Sequence, residues 1–142
     1  MSGIADDNSS GLIIEDGGNL FYVCNPKKIR YKRQSFQCFC SDSEENLGTS
    51  DQERYSKTRD VSKFRTFTFL IKNEGLNSIL CQVEISPEGV NWGAFGELEY
   101  TLSPGQMQPI VPQYFLHYAR VKFKNKIPGF SSVIAIWFQG QR

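Results

Sequence analysis

The run FRTFTFLI, residues 64–71, places Phe67, Phe69 and Ile71 on one face of an extended chain and Thr66, Thr68 and Leu70 on the other. Successive side chains of a strand project to opposite faces, so this two-residue period, carried by aromatic and β-branched residues, predicts a half-buried strand. NSILCQVEIS, residues 77–86, repeats it, with Ile79, Cys81, Val83 and Ile85 inward and Leu80, Gln82 and Glu84 outward. Between the two, KNEGLN supplies the Asn and Gly residues of a hairpin loop. In SPEGVNW, Pro87 presets φ and Gly89 tolerates a positive one, so the chain reverses again.

The pattern continues to the end of the chain. Residues 98–102 read as a strand, Ser103, Pro104 and Gly105 as a turn, and the following segment as an edge strand, because Pro109 and Pro112 cannot donate to a central ladder. LHYARVKFKNK turns Ala119, Val121 and Phe123 inward. SSVIAIWFQGQR sets Ile134, Ile136 and Phe138 against Val133, Ala135 and Trp137, which predicts cover on both faces. No segment has helical period and length. The fold predicted is all-β, an antiparallel β-sandwich of jelly-roll or immunoglobulin-like type with an extended N-terminal arm.

Aromatic residues set the domain organisation. Only 6 of the 19 lie in residues 1–62, against 13 in 63–142, so the sandwich core is assigned to 63–142. Residues 1–62 read as an arm and connector. Short apolar runs at 12–14 and 20–23 flank the turn residues Asp16, Gly17 and Gly18, and SDSEENLGTSDQERYSKTRD (41–60) reads as a polar loop. The formal net charge of +1 gives no global field to gather nucleic acid. The local run KKIRYKR, residues 27–33, is followed by acidic residues that can neutralise it, so no nucleic-acid partner is expected. The opening MSGIADDNSS has no basic and apolar signal regions, and no run approaches the ~20 apolar residues of a membrane span. The expectation is a chain made in the cytoplasm without a signal peptide, with no membrane partner.

No catalytic constellation stands out, and the chain is expected not to be an enzyme and to use no cofactor. The single histidine, His117, reads as a packed or rim residue, and neither a phosphate loop nor a nucleophile elbow is present. The cysteines are the one unusual feature. Cys38 and Cys40, in SFQCFC (35–40), project to one side of an extended segment, and bridging each other would be strained. They and Cys24 are therefore candidates for cross-linking to other partners. A zinc site built from Cys24, Cys38, Cys40 and His117 is the alternative, but one intervening residue is not the spacing of a zinc knuckle. Cys81 alternates with core residues and reads as a buried thiol. Trp92, Tyr100, Tyr114 and Trp137 are candidates for ligand stacking or an interface, with Phe36 and Phe39 available at a joint.

Three motifs carry a resemblance: ISPEGVNW (85–92), SPG (103–105) and FLHYARV (115–121). Together they resemble an uncharacterised β-sandwich family of spore-forming Bacillota. The cysteine-bearing arm is similar in architecture to the pilin-type subunits of endospore appendages, though its cysteine spacing departs from their adjacent pair. That resemblance implies a structural subunit, polymerised head-to-tail through the arm and possibly disulfide-linked, whose partners are copies of itself and a surface-anchoring protein. It also implies a final location on the spore or cell surface. The alternative function is a carbohydrate- or receptor-binding module of a surface or phage-tail assembly.

Overall fold

Alternation puts the apolar residues of each strand on one side, and two sheets that close over those sides leave no helix to be accommodated. The computed structural model describes the backbone of residues 13–16, 19–23 and 37 and the whole of 38–142. Its strands are β1 (Ile13–Asp16), β2 (Asn19–Val23), β3 (Gln37–Gly48), β4 (Arg54–Tyr55), β5 (Arg59–Asp60), β6 (Thr66–Asn73), β7 (Ile79–Ser86), β8 (Tyr100–Leu102), β9 (Met107–Ile110), β10 (Tyr118–Asn125) and β11 (Val133–Gln141). One sheet has the order β1-β2-β3-β11-β6-β9 and the other β4-β10-β7-β8, with β5 also paired to β10. All pairs are antiparallel except β2 with β3. The described fold is the predicted all-β sandwich.

The core lies between the sheets. Phe67, Phe69, Ile71, Ile79, Cys81, Val83, Ile85, Ala119, Val121, Phe123, Ile134, Ile136 and Phe138 are buried there, the inward sets read from the alternation. Phe69, Phe67 and Phe138 form one aromatic cluster, with Phe138 ring centroids 5.3 and 5.7 Å from the other two. Each such ring contributes roughly 1.5–3 kcal/mol by leaving water. Pro109 sits in β9, an outer strand of the six-stranded sheet, where its missing N–H costs no central ladder bond.

Residues 37–60 depart from expectation. The stretch read as a polar loop contributes most of β3, and β4 and β5 as well, so the two sheets draw in residues that the sequence assigned to a connector. β3 runs along β11 for nearly its whole length. Its inward side carries Cys38, Cys40, Asp42 and Glu44, and the acidic pair is neutralised from the opposite layer. Arg59 Nη1 lies 2.7 Å from Asp42 Oδ2 and its Nη2 3.4 Å from Glu44 Oε2. The register then slips between Ile134 and Ile136, whose partners are Leu47 and Glu44. This bulge gives β3 one extra residue, with Asn46 at φ 58, and returns Leu47 to the core side.

One end of the sandwich is tied by polar side chains. The Asn73 amide donates to the carbonyls of Asn77 and Leu102, at 2.8 and 2.9 Å, while its oxygen accepts from the Ser132 hydroxyl at 2.6 Å. Thr49 donates to Asn125, and Asn125 to Asp51 at 2.8 Å. Every member is bonded, so the network couples the ends of β6, β8 and β10 with the residues that follow β3 and precede β11, without stranding a buried polar group.

Candidate functional site

ISPEGVNW and FLHYARV, far apart in sequence, meet on the outer face of the sheet that contains β7 and β10. Ser86, the last residue of β7, accepts the Gly89 N–H at 2.7 Å, and Gly89 has φ 89, which makes the tight reversal possible. The Glu88 carboxylate accepts the Asn91 backbone N–H at 2.8 Å and the Asn91 side-chain amide at 2.7 Å. These bonds, with those of Val90 and Ser86, hold its carboxyl down at about 2. The turn delivers Trp92, whose indole N–H donates to the Gly89 carbonyl at 3.1 Å.

Trp92 covers Arg120. The guanidinium carbon lies 4.1 Å from the Trp92 ring centroid and 3.8 Å from that of Tyr55, so two rings enclose it. Its Nε donates to Glu84 at 3.0 Å, and Lys122 approaches the other Glu84 oxygen at 3.5 Å. Both faces and one edge of the cation are thus engaged. The arrangement is chemically a clamp that fixes β4 and the 87–92 turn to the sheet, with its charge already answered.

The aromatic candidates do not form one platform. Trp92 lies outside one sheet, whereas Trp137, on β11, faces outward from the other and borders a shallow groove with Thr68, Leu70, Pro109 and Gln139. Tyr100 packs partly against the core, and Tyr114 lies on an apolar groove at the end of the sandwich. Residue type made these four candidates for stacking or an interface, but the sequence does not say which sheet or which end of the sandwich each belongs to. Phe39 lies half-buried in β3, and Phe36 falls outside the described residues.

Cys38 and Cys40 are buried within β3. They do share a face. Cys40 borders a cleft of about 380 Å³ with Asp42, Arg59, Asp60, Phe64 and Phe138. Cys24 lies outside the described residues. Cys81 is a buried free thiol, and burial pushes it up to about 12, which suppresses thiolate chemistry at neutral pH. His117 is a rim residue, stacked on Tyr118 at 4.2 Å between centroids and 3.3 Å from Asp60 Oδ1. Among the described residues no group of three His, Cys, Asp or Glu is placed to hold a metal ion. No described helix is long and apolar enough to cross a membrane.

Residues 60–142 match a family described as Domain of unknown function (DUF6385). No curated protein matches the chain.

Proposed function

We propose, for a chain that belongs to the DUF6385 domain family, a structural role: a subunit that self-assembles head-to-tail through its N-terminal arm into a fibre or surface appendage. The observation that carries this reading is the way the arm meets the sheet. β2 lies parallel to the start of β3 over three register pairs, Phe21↔Gln37, Tyr22↔Cys38 and Val23↔Phe39. A short ladder of this kind makes the same main-chain bonds whether its strand comes from the same copy or from a neighbour, which is the condition for strand exchange. Among the described strands, none pairs with that side of β3 from Ser41 to Gly48, an edge along which an incoming strand could extend the sheet.

The cysteines fit the same joint. The residues that follow the pair Val23↔Phe39 in the two segments are Cys24 and Cys40. An arm supplied by a neighbour would bring these two segments of different subunits together, and a disulfide formed there under oxidising conditions would lock the joint. The resemblance to proteins of spore-formers makes the spore or cell surface the proposed destination, where thiols made in a reducing compartment later meet oxidant.

The test removes residues 1–36 and leaves β3 intact. The full chain should form fibres by negative-stain microscopy and a reductant-sensitive ladder on a gel, and the truncated chain should be a folded monomer by light scattering. Fibres of undiminished length from the truncated chain would sink the proposal.

A second reading, a carbohydrate-binding module, is favoured by the groove beside Trp137. An indole flanked by the Thr68 hydroxyl and the Gln139 amide, with Ser41 bonded to Gln139 at 3.2 Å, offers a stacking face and neutral hydrogen-bonding groups. Glycan-array binding by a monomeric protein, lost in Trp137→Ala, would select it over the first.

A further inference from the structure

The two tryptophans are engaged differently. The Trp92 indole N–H donates to the Gly89 carbonyl, and its ring covers the Arg120 guanidinium. Trp137 makes neither kind of contact: among the described residues no acceptor takes its indole N–H, and no ring or cation lies over its face. It stands half-buried on the outer side of β11.

Register sets its neighbours. Trp137 pairs with Ser43 on β3 and Leu70 on β6, and Leu70 pairs with Pro109 on β9. Residues paired across a sheet share a face, so these four make one row over four strands. Two positions further along β11, Gln139 pairs with Ser41 and Thr68, which makes a second row about 7 Å from the first. The first row offers mainly carbon, an indole, a leucine side chain and a pyrrolidine ring. The second offers two hydroxyls and an amide. A groove of about 470 Å³ is lined by Trp137, Leu70 and Pro109 from the one and by Thr68 and Gln139 from the other. Among the described residues the Thr68 hydroxyl has no protein partner, and the bond from the Gln139 amide to Ser41 at 3.2 Å leaves the amide oxygen and its second N–H open. Neither row carries a charged side chain. The row beyond Gln139, made of Phe39, Gln141 and Thr66, is also uncharged, and the row beyond Trp137 sets Lys72 beside Ala135 and Glu45 at the bulge, one charge of each sign.

We infer that these rows bind a neutral, unbranched oligosaccharide lying across the strands, its ring faces on Trp137, Leu70 and Pro109 and its hydroxyl edge on Thr68 and Gln139. This rests on the carbohydrate-binding reading and adds the ligand's class and direction. A sugar ring has an apolar face and a hydroxyl-bearing edge, and a carbon row beside a neutral hydrogen-bonding row meets both at once. Four strands spaced about 4.8 Å apart span roughly 14 Å, more than one sugar ring covers. A charged sugar would give up hydration here for uncharged groups, with Lys72 and Glu45 acting in opposite senses at the margin. The rows lie on the face of the sheet and the arm joint on the β3 edge, so polymerisation through the arm would leave them uncovered.

The full chain is titrated calorimetrically with the neutral linear trisaccharides cellotriose, maltotriose and triacetylchitotriose, with their monomers, and with trigalacturonate as an anionic counterpart, beside a glycan array. At least one neutral trisaccharide should bind about tenfold or more tightly than its monomer and than trigalacturonate, with little change between low and high salt. Trp137→Ala should weaken that binding about tenfold or more, and Thr68→Val, which keeps the β-branched shape and removes the hydroxyl, about threefold or more. Phe115→Ala, an exposed ring at the end of the sandwich, should bind as wild type, and circular dichroism melts check that each variant is folded. Binding confined to charged or branched glycans, or a monomer bound as tightly as its trimer, would overturn the inference and leave a carbohydrate-binding module standing. Affinity unchanged in both folded Trp137→Ala and Thr68→Val would show that the sugar does not lie on these rows. A chain that binds no sugar of the panel or the array would remove the reading and the inference together.

Discussion

Glu88 shows how much of a turn can hang on one side chain. Its carboxylate collects the N–H groups of Val90 and Asn91 and the Asn91 amide, and the turn they shape sets Trp92 over Arg120. Because its carboxyl is held at about 2, below an ordinary value near 4.5, the ionised form is favoured by the folded state. As pH falls from 4.5 towards 2, the unfolded chain takes up this proton first, so the stabilisation is present above that window and is lost through it. Glu88→Gln should lower the melting temperature at pH 7 and flatten the acid limb of a stability–pH curve between 5 and 2. An unchanged acid limb in the variant would show that the carboxylate is not what holds the turn. The sequence marked Pro87 and Gly89 as a reversal from backbone chemistry alone. It could not show Trp92 meeting Arg120, since that pair is joined by the β7–β10 register and not by any local pattern.

Among the elements, β6, β7, β10 and β11 were legible because each sets bulky apolar residues at every second position over several residues. β3 was not, because its inward side changes chemistry halfway: Cys38 and Cys40 give way to Asp42 and Glu44, whose counter-charge Arg59 comes 15 residues or more later and from the other sheet. The bulge at Asn46 then breaks the period that would have tied Leu47 to the same strand. Polarity therefore resembled a loop. The loops that join strands are fixed just as closely. Gly75 sits where a Cβ would come 2.0 Å from the Ser132 hydroxyl and 2.6 Å from the Val133 backbone nitrogen, and the second of these cannot move aside without shifting β11. Gly75→Ala should destabilise by about 1–3 kcal/mol in urea denaturation, the usual range for overpacking. A variant as stable as the parent would mean that the β6–β7 and β10–β11 loops are not held against each other.

At the scale of the whole molecule, the domain match begins at residue 60, and the sequence put the core boundary at 63, yet the sheets do not respect either point. β11 lies between β3 and β6, so a chain cut before residue 60 would lose the partner along one whole edge of its last strand. It would also lose β4, whose residues 54 and 55 pair with β10, and the Ser56 hydroxyl that accepts the Val121 N–H at 2.9 Å. Tyr55 would no longer cover Arg120, and Thr49 would leave Asn125 and the Ser132 N–H, which it receives at 2.7 Å, without their buried partner. An exposed β11 edge with free N–H and C=O groups is a template for aggregation. Residues 37–142 should therefore fold as a soluble unit with a cooperative melt, whereas residues 63–142 should aggregate or melt without cooperativity. Circular dichroism melts and light scattering on the two fragments decide it: a stable, monomeric 63–142 fragment would show that β3, β4 and β5 decorate the sandwich and do not complete it.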